Sequence, residues 1–155
     1  MNNNGLLLIF SGPSGAGKGT VLKELLNGND NMKLSVSATT RTPREGECHG
    51  VHAEYCGKYY GTPNSQIMDW IEEGRDVVLE IEVQGARQIK EKRPDCVSIF
   101  VLPPSLEELE KRLRYRNTED EETIQKRLAV ARQEMETARD YDYVIVNDTI
   151  EHTVE

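Results

Sequence analysis

The chain has 155 residues, of which 37% are hydrophobic and 30% charged, and it carries a formal net charge of −8 at neutral pH. That length fills one hydrophobic core, so a single domain is expected, with room for a small lobe. The acidic balance argues against non-specific binding to nucleic acid or to a membrane surface, both of which need a basic face.

No apolar run approaches membrane-spanning length, and Met1-Asn2-Asn3-Asn4-Gly5 has no basic leader region. A soluble, cytoplasmic chain is the expectation. Cys48, Cys56 and Cys96 match no zinc spacing and read as reduced thiols.

The first element is an apolar run, Leu6-Leu7-Leu8-Ile9-Phe10, which reads as a buried strand. Gly12-Pro13-Ser14-Gly15-Ala16-Gly17-Lys18-Gly19-Thr20 follows, and Val21-Leu22-Lys23-Glu24-Leu25-Leu26 then reads as a helix. Strand, glycine-rich turn and helix are the context in which this spacing makes a phosphate loop. The glycines let successive N–H groups converge, the helix adds its unpaired donors and dipole, and Lys18 adds a full charge at the β/γ-phosphates. The residue after the lysine is Gly19, so Thr20 is the candidate hydroxyl on the Mg²⁺ side.

Lys33-Leu34-Ser35-Val36-Ser37 alternates like a short strand and runs into Ala38-Thr39-Thr40-Arg41-Thr42-Pro43-Arg44-Glu45-Gly46-Glu47. Arg41 and Arg44 flank a rigid proline turn; on their own they read first as a solvated basic turn, but beside a phosphate loop two guanidiniums held there are better read as a phosphate grip. The stretch from Cys48 to Pro63 is turn-rich. Its Tyr55, Tyr59 and Tyr60 suit a phosphate or base contact as well as ordinary packing. Asn64 to Glu73 is a predicted helix with Ile67, Trp70 and Ile71 as its core face, closed by Gly74.

Val77-Val78-Leu79-Glu80-Ile81-Glu82 reads as a buried parallel strand whose carboxyl end carries two acids, where ligands of open α/β sheets sit. Gly85 to Glu91 is a predicted helix and Cys96 to Leu102 the next strand. Ser105-Leu106-Glu107-Glu108 is a capping box opening a helix with Leu106, Leu109 and Leu113 on its buried stripe. Arg112 and Arg116, four apart, share a face. Thr118-Glu119-Asp120-Glu121 reads as a second capping box, for a helix through Asp140 with Ile124, Leu128, Ala131, Met135 and Ala138 inward and Arg127 near its start. Two helices meeting at residues 116–118 make a hairpin with arginines near its tip, suited to a lid over phosphates. Tyr143-Val144-Ile145-Val146 is the last strand, followed by Asn147-Asp148-Thr149.

Six segments in this order carry a resemblance that spans the whole chain. They are Ser-Gly-Pro-Ser-Gly-Ala-Gly-Lys at 11–18, Ser-Val-Ser-Ala-Thr-Thr-Arg-Thr-Pro-Arg at 35–44, Tyr-Tyr-Gly-Thr at 59–62, Leu-Glu-Ile-Glu-Val-Gln-Gly-Ala at 79–86, Ile-Phe-Val-Leu-Pro-Pro-Ser at 99–105 and Tyr-Asp-Tyr-Val-Ile-Val-Asn-Asp at 141–148. Together they resemble the guanylate kinase family in its bacterial form.

The resemblance implies an α/β P-loop nucleoside monophosphate kinase: a parallel sheet flanked by helices, a helical lid and a GMP-binding lobe. It implies one domain over 1–155, with the core at 1–34 and 75–155, the lid at about 112–127, and the lobe's remnant at 35–74. The activity implied is transfer of the γ-phosphoryl of MgATP to GMP, giving ADP and GDP. By match of position, Gly12 to Thr20 would hold ATP, Lys18 would neutralise the transferring group, and Thr20 would face Mg²⁺. Arg41, Arg44 and Tyr60 would hold the GMP phosphate, and Ser37, Glu47, Thr62, Glu80 and Glu82 would line that pocket. Arg112, Arg116 and Arg127 would close over the phosphates, and Asn147 would face adenine. No protein partner, nucleic acid or membrane is implied. Two other classes fit parts of the pattern: a non-catalytic guanylate-kinase-like module that binds proteins, and a related kinase for another phosphorylated acceptor.

The chain also departs from the family. Between Val51 and His52 the family carries a further segment of the GMP-binding lobe, with a tyrosine for the GMP phosphate and a glutamate for the guanine edge. A C-terminal helix that usually follows Glu155 is likewise absent. The internal gap has two readings: a segment left out of the chain as written, which the mobility of such lobes favours, or a true deletion. An intact mass of 17.6 kDa decides for deletion.

Overall fold

Five strands make one parallel sheet in the order β2-β5-β1-β6-β7. They are β1 (Leu7–Ser11), β2 (Met32–Val36), β5 (Asp76–Glu80), β6 (Val97–Leu102) and β7 (Tyr143–Val146). The structure is a computed structural model that describes residues 3–36, 53–55, 58–60, 64–115 and 119–155. Two three-residue strands, β3 (Ala53–Tyr55) and β4 (Lys58–Tyr60), pair antiparallel as a separate ribbon.

Side chains that alternate along each strand divide the sheet between two layers. On one face, Leu7, Ile9, Val77 and Leu79 pack with Ile67 and Ile71 of α2 (Asn64–Glu72) and with Ala86 and Ile89 of α3 (Val83–Lys92). On the other, Phe10, Val78 and Val101 pack with Val21 and Leu22 of α1 (Lys18–Gly28) and Val154 of α6 (Ile150–Val154). The central strand β1 is flanked by β5 and β6, so its carboxyl end opens between neighbours that run the same way. That is where ligands enter such sheets.

The remaining helices, α4 (Leu106–Tyr115) and α5 (Glu121–Glu136), form an antiparallel hairpin with its own core of Leu109, Leu113, Ile124, Leu128 and Ala131. Arg114 ties the two together by pairing with Glu110 and Glu121. A short 3-10 turn at Thr137–Asp140 ends α5, so the predicted helix through Asp140 is α-helical only to Glu136. Among the described residues no helix is long and apolar enough to cross a membrane.

Several boundaries differ from the sequence reading. Strand β5 stops at Glu80, and Glu82 is instead the residue preceding α3, its carbonyl accepting from the Ala86 N–H. The second helix of the hairpin is capped by Asp120, whose carboxylate accepts from the Thr123 N–H at 2.8 Å; the Thr118 cap expected from the sequence lies outside the described residues. In the first capping box only half forms. Ser105 Oγ accepts from the Glu108 N–H at 3.1 Å, while the Glu108 carboxylate turns to Arg112. Helix α2, assigned to the lobe from the sequence, buries Ile67 and Ile71 in the central core and belongs to the sheet.

One polar joint locks α3, β6 and the approach to β7. Asp142 Oδ2 accepts from Lys90 Nζ at 2.8 Å, from the Ser98 N–H at 2.8 Å and from Ser98 Oγ at 3.0 Å. The Lys90 ammonium, followed by the Ser98 N–H, holds this carboxyl down at about 2. Because the folded value is depressed, the stabilisation is present above the ordinary carboxylate range and is lost as pH falls through about 2. Asp142→Ala should therefore cost about 1 kcal/mol near pH 7, after allowance for solvent screening of a side chain 42% exposed, and almost nothing near pH 2. Urea unfolding of both proteins at the two pH values checks this; an equal cost at both would refute it.

Candidate nucleotide site

The site grows from the turn between β1 and α1. Residue Gly17 precedes the helix with φ 87° and makes no side-chain cap. Gly17 therefore puts no side chain over the N-terminus of α1, which suits that end of the helix and its dipole to an anion. The positive φ there strains any residue with a Cβ, and the space is taken as well: a Cβ on Gly17 would lie 2.4 Å from Asn147 Nδ2. At Gly15, also at positive φ, a Cβ would meet Leu109 Cδ1 at 2.9 Å. The α4–α5 hairpin is therefore seated directly on the loop.

Lys18 opens α1 and folds back over the turn, its Nζ donating to the Gly12 carbonyl at 2.5 Å and the Pro13 carbonyl at 3.3 Å. Two arginines reach the loop from the hairpin. Arg127 Nη1 donates to Ser14 Oγ at 3.0 Å and also pairs with Glu119. Arg112 Nη1 donates to the Ala16 carbonyl at 3.3 Å and Nη2 to the Asn147 carbonyl at 3.2 Å. Residues far apart in sequence thus bring three positive charges onto one turn of backbone. That electrostatics is local, and it is set in a chain of net charge −8.

Beside the loop lies a cleft of about 490 Å³, lined among others by Gly17, Thr20, Arg112, Tyr115, Asp148 and Ile150. Thr20 is exposed on its wall, so its hydroxyl is open to a ligand. Asp148 at the cleft's edge pairs with His152 at 2.9 Å, which raises the imidazole's pKa by a hydrogen bond to its charged form. Glu80 ends its strand level with Phe10 of β1, and Glu82 is exposed just beyond. Tyr60 is placed by its backbone in β4. Ser37, Arg41, Arg44, Glu47, Thr62 and Arg116 lie outside the described residues.

One feature was not read from the sequence. Glu134 of α5 is half-buried; burial pushes its carboxyl pKa up, Lys18 opposes that, and Glu82 adds to it. Its signal was available in principle, since 131, 134 and 138 share helical spacing with the apolar stripe. Asn147, a donor-side candidate from the sequence, is 5% exposed and lines the cleft, its amide Nδ2 donating to the Ala16 carbonyl at 2.8 Å.

The family model for guanylate kinase matches residues 4–53 and 51–155 of this chain. The chain belongs to the guanylate kinase family. Members of this family are nucleoside monophosphate kinases that act on ATP and GMP. A guanylate kinase of Desulfitobacterium hafniense (strain Y51) is 50% identical over 169 residues, covering 96% of this chain and 84% of the relative. One of Clostridioides difficile (strain 630) is 52% identical over 167 residues, covering 94% and 82%. The crystal structure of guanylate kinase from Anaplasma phagocytophilum superposes with a TM-score of 0.71 at 36% identity, over 97% of this chain and 81% of that one.

The match also measures the departure within the guanylate kinase family. The family model breaks into two stretches that meet at residues 51–53, where the sequence places the missing lobe segment. A guanylate kinase of Caldanaerobacter subterraneus aligns over 176 residues with the whole of this 155-residue chain, so about 21 aligned positions have no residue here.

Proposed function

We propose that this chain transfers the γ-phosphoryl group of ATP to GMP, giving ADP and GDP, in the cytoplasm and without an obligatory protein, nucleic-acid or membrane partner. The observation that carries the reading is the convergence of Lys18, Arg112 and Arg127 on a glycine-rich turn at the carboxyl end of the central strand. In this reading the Gly12 to Thr20 backbone holds the donor phosphates. The donor's nucleoside lies in the cleft between α4 and the turn after β7.

Lys18 exchanges its carbonyl partners for the transferring group. Arg112, Arg127 and Arg116 spread the negative charge that grows between donor and acceptor. Ser37, Arg41, Arg44, Glu47, Tyr60, Thr62, Glu80 and Glu82 serve the acceptor side. In-line placement and charge stabilisation carry most of such a reaction, so no proton-transfer side chain is required. Mg²⁺ fits as an ion carried by the nucleotide, with the exposed Thr20 hydroxyl as a ligand; it would neutralise phosphate charge. Among the described residues no group of three His, Cys, Asp or Glu forms an all-protein cage.

The test is ADP formation from MgATP with GMP, AMP, CMP and UMP supplied in turn. GMP-selective turnover is expected. Equal turnover with another acceptor would point to a related kinase, and ATP binding without turnover on any acceptor would sink the enzymatic reading.

A further inference from the structure

One aromatic side chain of the cleft is left almost entirely in water. Tyr115, at the carboxyl end of α4, is 92% exposed, yet it lines the cleft together with Arg112 and Asp148. It comes about two and a half turns after Leu106, so it lies on the side of α4 opposite the stripe that the hairpin buries. Glu108, Lys111 and Arg112 precede it at the spacing of one helix face, and all four line the cleft. The ring therefore contributes little to the hairpin's own core, and it gives the cleft wall a flat apolar surface.

Position along the cleft says what that surface can meet. Gly15, Gly17 and Thr20 line its loop end. Arg112 marks the junction, its guanidinium donating both to the Ala16 carbonyl of the loop and to the Asn147 carbonyl of the turn after β7. Tyr115 comes three residues later, about 4.5 Å further along the helix axis. On the side of the turn after β7, Ile150 adds a half-buried apolar side chain. The acids there already have partners: Glu108 pairs with Arg112 and Asp148 with His152. A neutral planar group fits this end better than a charged one, and a cleft of about 490 Å³ is of small-molecule size.

We propose that Tyr115 is a stacking surface for the base of the donor nucleotide, and that it biases the cleft toward purine donors, whose fused rings cover more of the phenol than a pyrimidine does. This rests on the reading that the loop holds the donor phosphates. Stacking uses the face of a base, so it leaves the edge of the base to the polar groups of Asn147 and its neighbours. It also needs no hydrogen bond from the phenol hydroxyl.

The test measures binding of ATP, UTP and inorganic tripolyphosphate by calorimetry to wild-type, Tyr115→Ala and Tyr115→Phe protein, with thermal midpoints as a check on folding. Tyr115→Ala should weaken ATP by about tenfold and UTP by less, with tripolyphosphate within about twofold of wild type. The midpoint should barely move, because the ring is exposed. Tyr115→Phe keeps the face and should restore most of the ATP affinity. An ATP affinity in Tyr115→Ala within about twofold of wild type would overturn the inference and leave the nucleotide reading standing. So would an equal loss for tripolyphosphate, which would put the effect in the loop, and so would a loss in Tyr115→Phe as large as in Tyr115→Ala, which would give the contact to the hydroxyl. Equal losses for ATP and UTP would overturn the purine bias. Wild-type protein that binds neither ATP nor tripolyphosphate would overturn both readings.

Discussion

Lys18→Met is expected to lower the turnover number by about 10²–10³-fold while leaving the melting temperature within a few degrees of the parent. The magnitude is that of removing one preset donor from a developing charge, about 3–4 kcal/mol of transition-state stabilisation. The fold should tolerate the change because Lys18 is only partly buried and its Nζ bonds to the Gly12 and Pro13 carbonyls stay within one turn of the loop. Methionine keeps the stem that lies over the loop. A coupled assay of ADP formation at saturating ATP and GMP measures the effect. Turnover within threefold of the parent would remove Lys18 from the chemistry and, with it, the main charge this reading places on the transferring group.

The second large effect concerns the acceptor. The Michaelis constant for GMP should lie about 100-fold above that of the D. hafniense and C. difficile relatives, with the constant for ATP little changed. About 21 aligned positions are absent at residues 51–53. By resemblance they carry two polar contacts to GMP, and hydrogen bonds to a charged group contribute about 1.5–3 kcal/mol each. A combined loss of about 3 kcal/mol corresponds to roughly 100-fold. Grafting a relative's segment between Val51 and His52 should recover most of it. Steady-state kinetics on the parent and the graft decide, and an intact mass of 17.6 kDa must accompany the result. A GMP constant equal to the relatives' would show that the short ribbon β3–β4 suffices.

What the sequence made legible follows from how local each signal is. The order of β1, loop and α1 was readable because apolar run, glycines and helix lie side by side in the chain. The stripe Leu109, Leu113, Ile124, Leu128 and Ala131 was readable from helical period alone, and it is the core of the hairpin. Boundaries failed where two local solutions compete. Asp120 and Thr118 are both good N-caps, and spacing does not tell which one the chain uses. Glu82 looked like the end of a strand because Ile81 is apolar; Ile81 is buried, but as the first step out of the sheet. The tie from Asn147 to the loop and the half-buried setting of Glu134 were out of reach for a different reason. Each depends on a partner more than a hundred residues away, Ala16 in one case and Lys18 in the other. Composition and period carry no record of such pairs.

The seating of Leu109 and Leu113 against Gly15 has a thermodynamic consequence. A hairpin whose root rests on the loop cannot swing as an independent flap, because tilting α4 presses on the same backbone that cradles the ligand. Occupancy of the cradle and attitude of the hairpin are then linked functions. Whatever factor a bound nucleotide applies to the hairpin's preferred orientation, that orientation applies to the nucleotide's affinity in equal measure. A substitution at the root, such as Leu113→Ala, would therefore be read twice, once in hairpin order and once in ligand binding.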